Sequence, residues 1–294
     1  MSDTRTGPGW SAAQWDLVNK AVTEAFGKAN VAGRFLPCYG PLPDSADYVR
    51  DEKVSRKPGE PVKVVDNTTL RLFNLTVPVE LSSEQVNEEG LSSAVLAFSR
   101  AANLLGLSED HIIFNGHGTS HARQRPAPPA FAIVKSAPDS SHGLAERRHP
   151  VVETGRKKRG EDPTEVLGQV LVKAVVRAIN ELEEGSHPGP FACVLGNTLF
   201  EAAHTPREKS MVLPADRIVP LLKGSLFRCG RLDPDRGVVA SLGGNDIDIV
   251  VATPPRAQFL QVTPDAKFMF RVYEKFTLRI KDETAVKLLQ INLA

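Results

Sequence analysis

Cysteine is scarce. Cys38, Cys193 and Cys229 stand far apart in a chain of 294 residues and form no CxxC pair. So sparse and odd a set offers neither a disulfide framework nor a paired-cysteine metal knuckle, and it points to reduced thiols in a cytoplasmic protein. A catalytic cysteine stays open beside the plainer reading of three small buried hydrophobes. An excess of one charge is missing too. Thirty-six Lys and Arg face 35 Asp and Glu, for a net charge of +1. No global positive field therefore draws phosphate, and no nucleic-acid partner is expected. No apolar run reaches the ~18 residues of a membrane-spanning helix, so no membrane partner is expected. The opening stretch Met1 to Trp10 has no apolar core and no cleavage signal, so export by a signal peptide is not expected.

Catalytic motifs are absent as well. There is no GxxxxGK[ST] phosphate loop, no HExxH and no GxSxG. Gly116-His117-Gly118-Thr119-Ser120-His121 imitates a dinucleotide loop but has histidine where close helix–strand packing needs a third glycine. His117 and His121 are four apart, the spacing of two ligands on one helix face. Gly118 and the prolines beyond argue against a helix there. No metal, no cofactor and no catalytic residue is expected, and the chain reads as a non-enzyme.

What is present is an alternation of helices and strands. Residues 1–9 read as a polar arm. Ser11-Ala12-Ala13-Gln14 is a capping-box pattern. Trp15, Val18, Val22 and Phe26 follow at helical spacing, with Gly27 as a stop. That face serves either an ordinary core or a docking surface. Residues 44–66 carry charges of both signs, among them Asp47, Arg50, Asp51, Glu52, Lys53 and Arg56. They lead into a period-two strand, Phe73, Leu75, Val77, Val79 and Leu81, which Pro78 places at an edge or a bulge. A charged extended segment feeding an edge strand reads as a projecting loop that a partner surface orders. Val95, Phe98, Ala102 and Leu105 mark a second helix, weakened at Gly106 and carried on through Ser108-Glu109-Asp110. Residues 117–162 lose periodicity; they are rich in proline and hold a basic run, Arg156 to Arg159, that reads as a solvated turn. The clearest helix follows Asp162-Pro163-Thr164, with Leu167, Val170, Leu171, Ala174, Val175, Ala178, Ile179 and Leu182 on one face and Gly185 at its end. A buried strand (191–195), two short helices (199–203 and 215–222) and a β-rich end (238–242, 247–252, 268–280) complete an α+β chain with one domain inserted into another.

Five segments, in order, resemble the encapsulin family, once described as linocin-like. They are Ala32-Gly33-Arg34-Phe35-Leu36 with Gly40-Pro41; Glu109 to Gly116; Gly189-Pro190-Phe191-Ala192-Cys193-Val194; Gly237 to Gly244, similar to that family's late β-hairpin; and Phe268 through Glu274-Lys275-Phe276 to Leu289. The resemblance implies the tailed-phage capsid fold of the Hong Kong 97 type. It implies an N-terminal arm and helix (1–28) and a peripheral domain (29–43, 70–159 and 236–294). An extended loop (44–69) would pair with a neighbouring copy, and an axial domain (160–235) would gather at symmetry axes.

The function implied is a self-assembling icosahedral shell of sixty copies, or a multiple, enclosing a cargo enzyme in the cytoplasm. The cargo implied is a peroxidase or a ferritin-like or hemerythrin-like iron protein, held by a terminal targeting peptide. By position, the docking residues are Phe26, Arg34, Leu36, Cys38, Pro255 and Ala257. Phe26 and Leu36 also read, strongly, as core, and Arg34 as a brace for the turn at Gly33. The five-fold pore loop is implied at His204, Thr205, Pro206, Arg207, Glu208 and Lys209. Some relatives hold a flavin against an exposed tryptophan; with Trp10 and Trp15 the only tryptophans, no flavin is carried over. A phage-derived capsid that packages DNA, and a free-standing hydrolase or antimicrobial protein, are the alternatives.

Overall fold

The computed structural model describes residues 7–56, 60–118, 132–139, 141–146, 150–157, 159–207 and 210–294. The helix opened at Ser11 is α1 (Ala12–Ala29). Its capping box closes both ways. The Gln14 amide donates to Ser11 Oγ at 3.3 Å and the Ser11 amide donates to Gln14 Oε1 at 2.9 Å. Two N–H groups that a first turn leaves without partners are thereby satisfied. Val18 and Val22 are fully buried, and Trp15 and Phe26 pack partly buried beside them. The helix does not stop at Gly27. Space around that glycine is open, so nothing forces a break, and the turn ends where the Asn30 amide donates to the Phe26 carbonyl at 2.8 Å.

The chain then forms a single 3-10 turn (Ala32–Arg34) and a two-residue strand, β1 (Cys38–Tyr39). The charged segment is an antiparallel hairpin, β2 (Tyr48–Ser55) and β3 (Lys63–Arg71). β4 (Phe73–Leu81) follows, with Phe73, Leu75, Val77, Val79 and Leu81 buried as their alternation predicts. After the short α2 (Ser83–Val86) comes α3 (Ser92–Asn115), one unbroken helix. Gly106 marks a crossing in it, not a weak point. A side-chain carbon there would lie 3.2 Å from the Phe26 carbonyl oxygen and 3.3 Å from the Asn30 nitrogen, so glycine lets α1 pass this close.

β5 (Ile133–Ser136), β10 (Ile247–Val262) and β11 (Phe268–Ile280) complete the first sheet, ordered β1-β10-β11-β4-β5. Among the described residues β5 pairs with β4 only at Asn74 to Thr76, so Pro78 lies beyond the described pairing on that side of β4. β10 runs ten residues past Ala252; register shifts between Val251 and Arg256 let Pro254 and Pro255 be accommodated within it. α1 and α3 pack with this sheet into one core that includes Phe73, Phe98, Phe270 and Phe276.

The second sheet is ordered β6-β12-β9-β7-β8, from β6 (Val151–Gly155), β7 (Phe191–Leu195), β8 (Leu226–Arg228), β9 (Arg236–Ser241) and β12 (Val286–Leu293). The long helix α4 (Pro163–Glu184) packs on it with α5 (Asn197–Ala203) and α6 (Pro214–Leu222). Asp162 caps α4 by accepting the Thr164 amide at 2.8 Å, with Pro163 at the first helical position. This layer draws in β6, β9 and β12, which lie outside the 160–235 division.

Gly243-Gly244 does not turn a hairpin. β9 pairs with β7 and β12, whereas β10 pairs with β1 and β11, so the glycines carry the chain from one sheet to the other. A second crossing joins β11 to β12. The two crossings touch where Lys281 donates its amide to the Asp246 carbonyl at 2.7 Å.

Candidate functional site

The six implied docking residues divide by exposure. Leu36 and Ala257 are buried and serve the core, while Phe26 and Pro255 are half-buried. Arg34 and Cys38 are exposed. Ala257 is tied down by its amide, which donates to Asn19 Oδ1 of α1 at 2.9 Å and fixes the helix over β10. Cys38 lies on β1 opposite Ile249 of β10. Partial burial, with Glu109 and Asp248 nearby, pushes its thiol up, away from a reactive thiolate. Burial pushes Cys193 and Cys229 up to about 12.

Arg34 reaches the second layer. Its guanidinium stands 5.1 Å from the centre of the Phe227 ring, which also stacks on Phe35 at 5.6 Å. An open cleft of about 420 Å³ there is lined by Arg34, Phe200, His204, Val219, Leu226 and Phe227 among others. Arg34 and His204, assigned by sequence to two different sites, thus share one cleft. The His204 ring packs on Phe200 with centroids 4.3 Å apart, and its Nδ1 lies 2.9 Å from the Phe200 carbonyl.

Beyond His204 the chain leaves the core. Thr205 donates its hydroxyl to the Glu201 carbonyl at 2.9 Å. Pro206 is exposed, and Arg207 lines a polar hollow with Arg156, Glu165 and Lys173. Glu208 and Lys209 lie outside the described residues. Met211, 96% exposed, and the exposed Val212 end the segment. Sequence reasoning passed over both, although three apolar residues before Pro214 in a polar loop were the available signal.

Three acids sit under the α1–α3 crossing. Asp110 accepts the Val31 amide at 2.9 Å and the Ala32 amide at 2.9 Å, and so holds the start of the 3-10 turn. Asn30 donates its side-chain amide to Glu109 at 2.7 Å. Burial raises all three. Asp110 is pushed up to about 7, against the pull of those amides and of Arg231 and Arg34. Glu109 is raised well above the usual carboxylate range by burial and by Asp110. Glu274 is raised likewise, with Glu109 and Asp110 as neighbours. This group braces the turn that presents Arg34.

His121 lies outside the described residues. His117 sits edge-on to Phe73 at 5.7 Å, half-buried, and burial lowers its pKa. Among the described residues, the ligand-type side chains that come together are His187, Asp246 and Asp282, from segments too far apart in sequence for spacing to reveal them. His187 Nδ1 meets Asp246 Oδ2 at 3.0 Å, whereas Asp282 Oδ2 lies 3.7 Å from the other ring nitrogen. An imidazole offers a metal one nitrogen, and here the two carboxylates address opposite ones. Nε2 already meets Thr284 Oγ1 at 2.7 Å, and that hydroxyl donates to Asp282 Oδ1 at 2.6 Å. The group is a hydrogen-bonded junction of three turns.

Comparison with known proteins agrees with this geometry. The family described as "Encapsulating protein for peroxidase" (Linocin_M18) matches residues 5–123 and 154–277. The type 1 encapsulin shell protein EncA of Myxococcus xanthus is 27% identical over 292 residues, covering 93% of this chain and 91% of its own. Among solved structures, the virus-like particle of Pyrococcus furiosus superposes with a TM-score of 0.68 at 15% identity, over 94% of this chain and 99% of that one. The capsid of the myovirus XM1 superposes with a TM-score of 0.57 at 12% identity, over 87% and 90%. Two layers joined by two crossings, with a long helix under one and a charged hairpin beside the other, are the tailed-phage capsid architecture, and the chain belongs to the encapsulin family of shell proteins.

Proposed function

We propose that the protein assembles with itself into a closed icosahedral shell that encloses a cargo enzyme and admits small solutes. The observation that carries this is the β2–β3 hairpin. It pairs only with itself among the described residues, and Tyr48, Val62 and Val64 on it are 57%, 70% and 64% exposed. A two-stranded ribbon that leaves apolar residues in water gains stability when another copy covers them. Sixty copies of a 31.9 kDa chain weigh about 1.9 MDa, the smallest icosahedral shell.

The peroxidase in the family's description favours a peroxidase cargo, with a ferritin-like iron protein as the alternative. A terminal peptide of that cargo docks along α1, the 3-10 turn and β10. Arg34 and Cys38 offer exposed contacts, and Phe26 and Pro255 a half-buried floor. Leu36 and Ala257 act from beneath, as the packing that holds this surface. The segment His204–Lys209 lines the five-fold pore.

The test is native mass measurement of the purified protein, with mass spectrometry of what it encloses. Particles of about 1.9 MDa or a multiple are expected, with one dominant foreign protein, and Arg34→Ala shells are expected to hold severalfold less of it. Monomers and dimers at every salt concentration would overturn the shell. Nucleic acid as the dominant content would favour a DNA-packaging capsid.

A further inference from the structure

The hairpin is not free on its own chain. The Val54 amide donates to the Lys281 carbonyl at 2.8 Å, and Lys53 Nζ donates to the Ile280 carbonyl at 2.7 Å. Both acceptors lie where β11 ends. Just past the end of β2, two residues beyond Val54, Arg56 makes two further contacts. Its Nη1 donates to the Gly185 carbonyl at 2.9 Å, just past the end of α4, and its Nη2 lies 3.3 Å from Asp282 Oδ2. Asp282 belongs to the His187 junction, which fixes it from behind through Thr284. One guanidinium therefore ties the hairpin to the end of the long helix and to the crossing between the sheets. A planar guanidinium suits this work, because its donors are fixed in a fork that meets two acceptors at once.

We infer that Arg56 is a positioning residue for assembly: gripping Gly185 and Asp282, it sets the angle at which the hairpin leaves its own subunit, and so the uniformity of shell size. The geometry supports this in two ways. The contacts of Asp47, Glu52, Lys53 and Val54 all fall on β11 or the residue just after it, so they hold the ribbon along one strand of the first layer, about which it can still tilt. Arg56 adds a hold on the end of the long helix, in the other layer, which limits that tilt. The acceptors are also rigid. Gly185 closes α4 through its own amide at the Glu181 carbonyl, and Asp282 is 7% exposed and capped onto the Thr284 amide at 2.9 Å.

This inference rests on the shell reading, and the experiment separates the two. Wild type, Arg56→Ala, Arg56→Lys and Arg50→Ala are purified as assembled particles. Arg50 pairs with Asp66 inside the hairpin and touches neither anchor, so it controls for the loss of a hairpin charge. Particle mass distributions are measured one particle at a time, and hydrogen exchange is followed over residues 48–56. Arg56→Ala is expected to broaden the mass distribution and to speed exchange in β2 about tenfold. Arg56→Lys, with one point charge for two acceptors, is expected to fall between, and Arg50→Ala to match wild type. Failure of wild type to form particles would sink the shell reading itself. Wild-type particles with equally uniform Arg56→Ala particles would overturn the positioning role, whatever the exchange rates. An equal broadening in Arg50→Ala would overturn it too, by making hairpin charge the cause.

Discussion

Asp110 shows how much one buried group governs. It accepts the amides that start the 3-10 turn, and it does so almost wholly out of water. An acid whose folded pKa is raised holds its proton more tightly in the folded state than in the unfolded chain. The stability it contributes is fully present below the unfolded value, about 3.9, and is lost as pH rises through the folded one. For Asp110 that loss runs from about 4 up to about 7. At roughly 1.4 kcal/mol per pKa unit it amounts to a few kcal/mol. Asp110→Asn keeps an acceptor oxygen for the turn and removes the titration. Melting temperatures of assembled wild type are expected to fall between about pH 4.5 and 7.5, and those of Asp110→Asn to fall less. Some slope stays, because burial raises Glu109 and Glu274 as well. Identical slopes in the two proteins would show that another group carries the dependence.

Among the elements, α1 has the most distinctive anchorage. Trp10, one residue before the N-cap, stacks on Phe270 at 5.0 Å, meets Trp15 and Phe98 edge-on, and donates its indole N–H to the Val86 carbonyl at 2.9 Å. At the other end the helix crosses Gly106. Trp10→Ala is expected to cost about 1–3 kcal/mol and to speed hydrogen exchange in the first two turns of α1, with β7 and α4 unaffected. Exchange unchanged along α1 would mean that Val18, Val22 and Asn19 hold the helix without it. Much at this scale was legible in sequence. The capping box, the helical spacing of α1 and α4 and the alternation in β4 are local patterns, and each produced its element. The anchorage of Trp10 was not legible, because apart from Trp15 its partners Val86, Phe98 and Phe270 are 76 to 260 residues away. The same limit hid the ends of elements. Gly27 read as a stop and Gly106 as a weak point from composition alone, yet the first has open space around it and the second is a crossing point. The resemblance implied a hairpin over Gly237 to Gly244, and only the pairing of β9 and β10 with different sheets shows a crossover. Of the site residues, Leu36 and Ala257 went to the core because period and composition do not tell which side of a strand or turn faces solvent.

At the scale of the whole molecule, the two layers carry different duties. The layer with α1 and α3 holds the proposed docking surface, and the layer with α4 carries the segment proposed to line the pore. In the proposed shell, five copies around an axis would bring five of these segments together, so a change too small to matter once would be repeated fivefold in one aperture. The segment His204–Lys209 mixes His, Arg, Glu and Lys, so strong selection by charge is not expected. Its described part is tied down lightly, by His204 on Phe200 and Thr205 on the Glu201 carbonyl. The flanking helices keep their own core: Leu199, Ala202 and Ala203 on α5, and Ile218 and Leu222 on α6, are fully buried without it. Replacing residues 204–209 with glycine and serine is therefore expected to leave assembly intact and to change solute entry severalfold, read as the rate at which enclosed cargo consumes a small substrate added outside. Met211 and Val212 remain in place in that variant, so an apolar narrowing made by them would persist, and Met211→Ser is the companion change. Intact particles with unchanged flux in both variants would place the main route of entry at another axis.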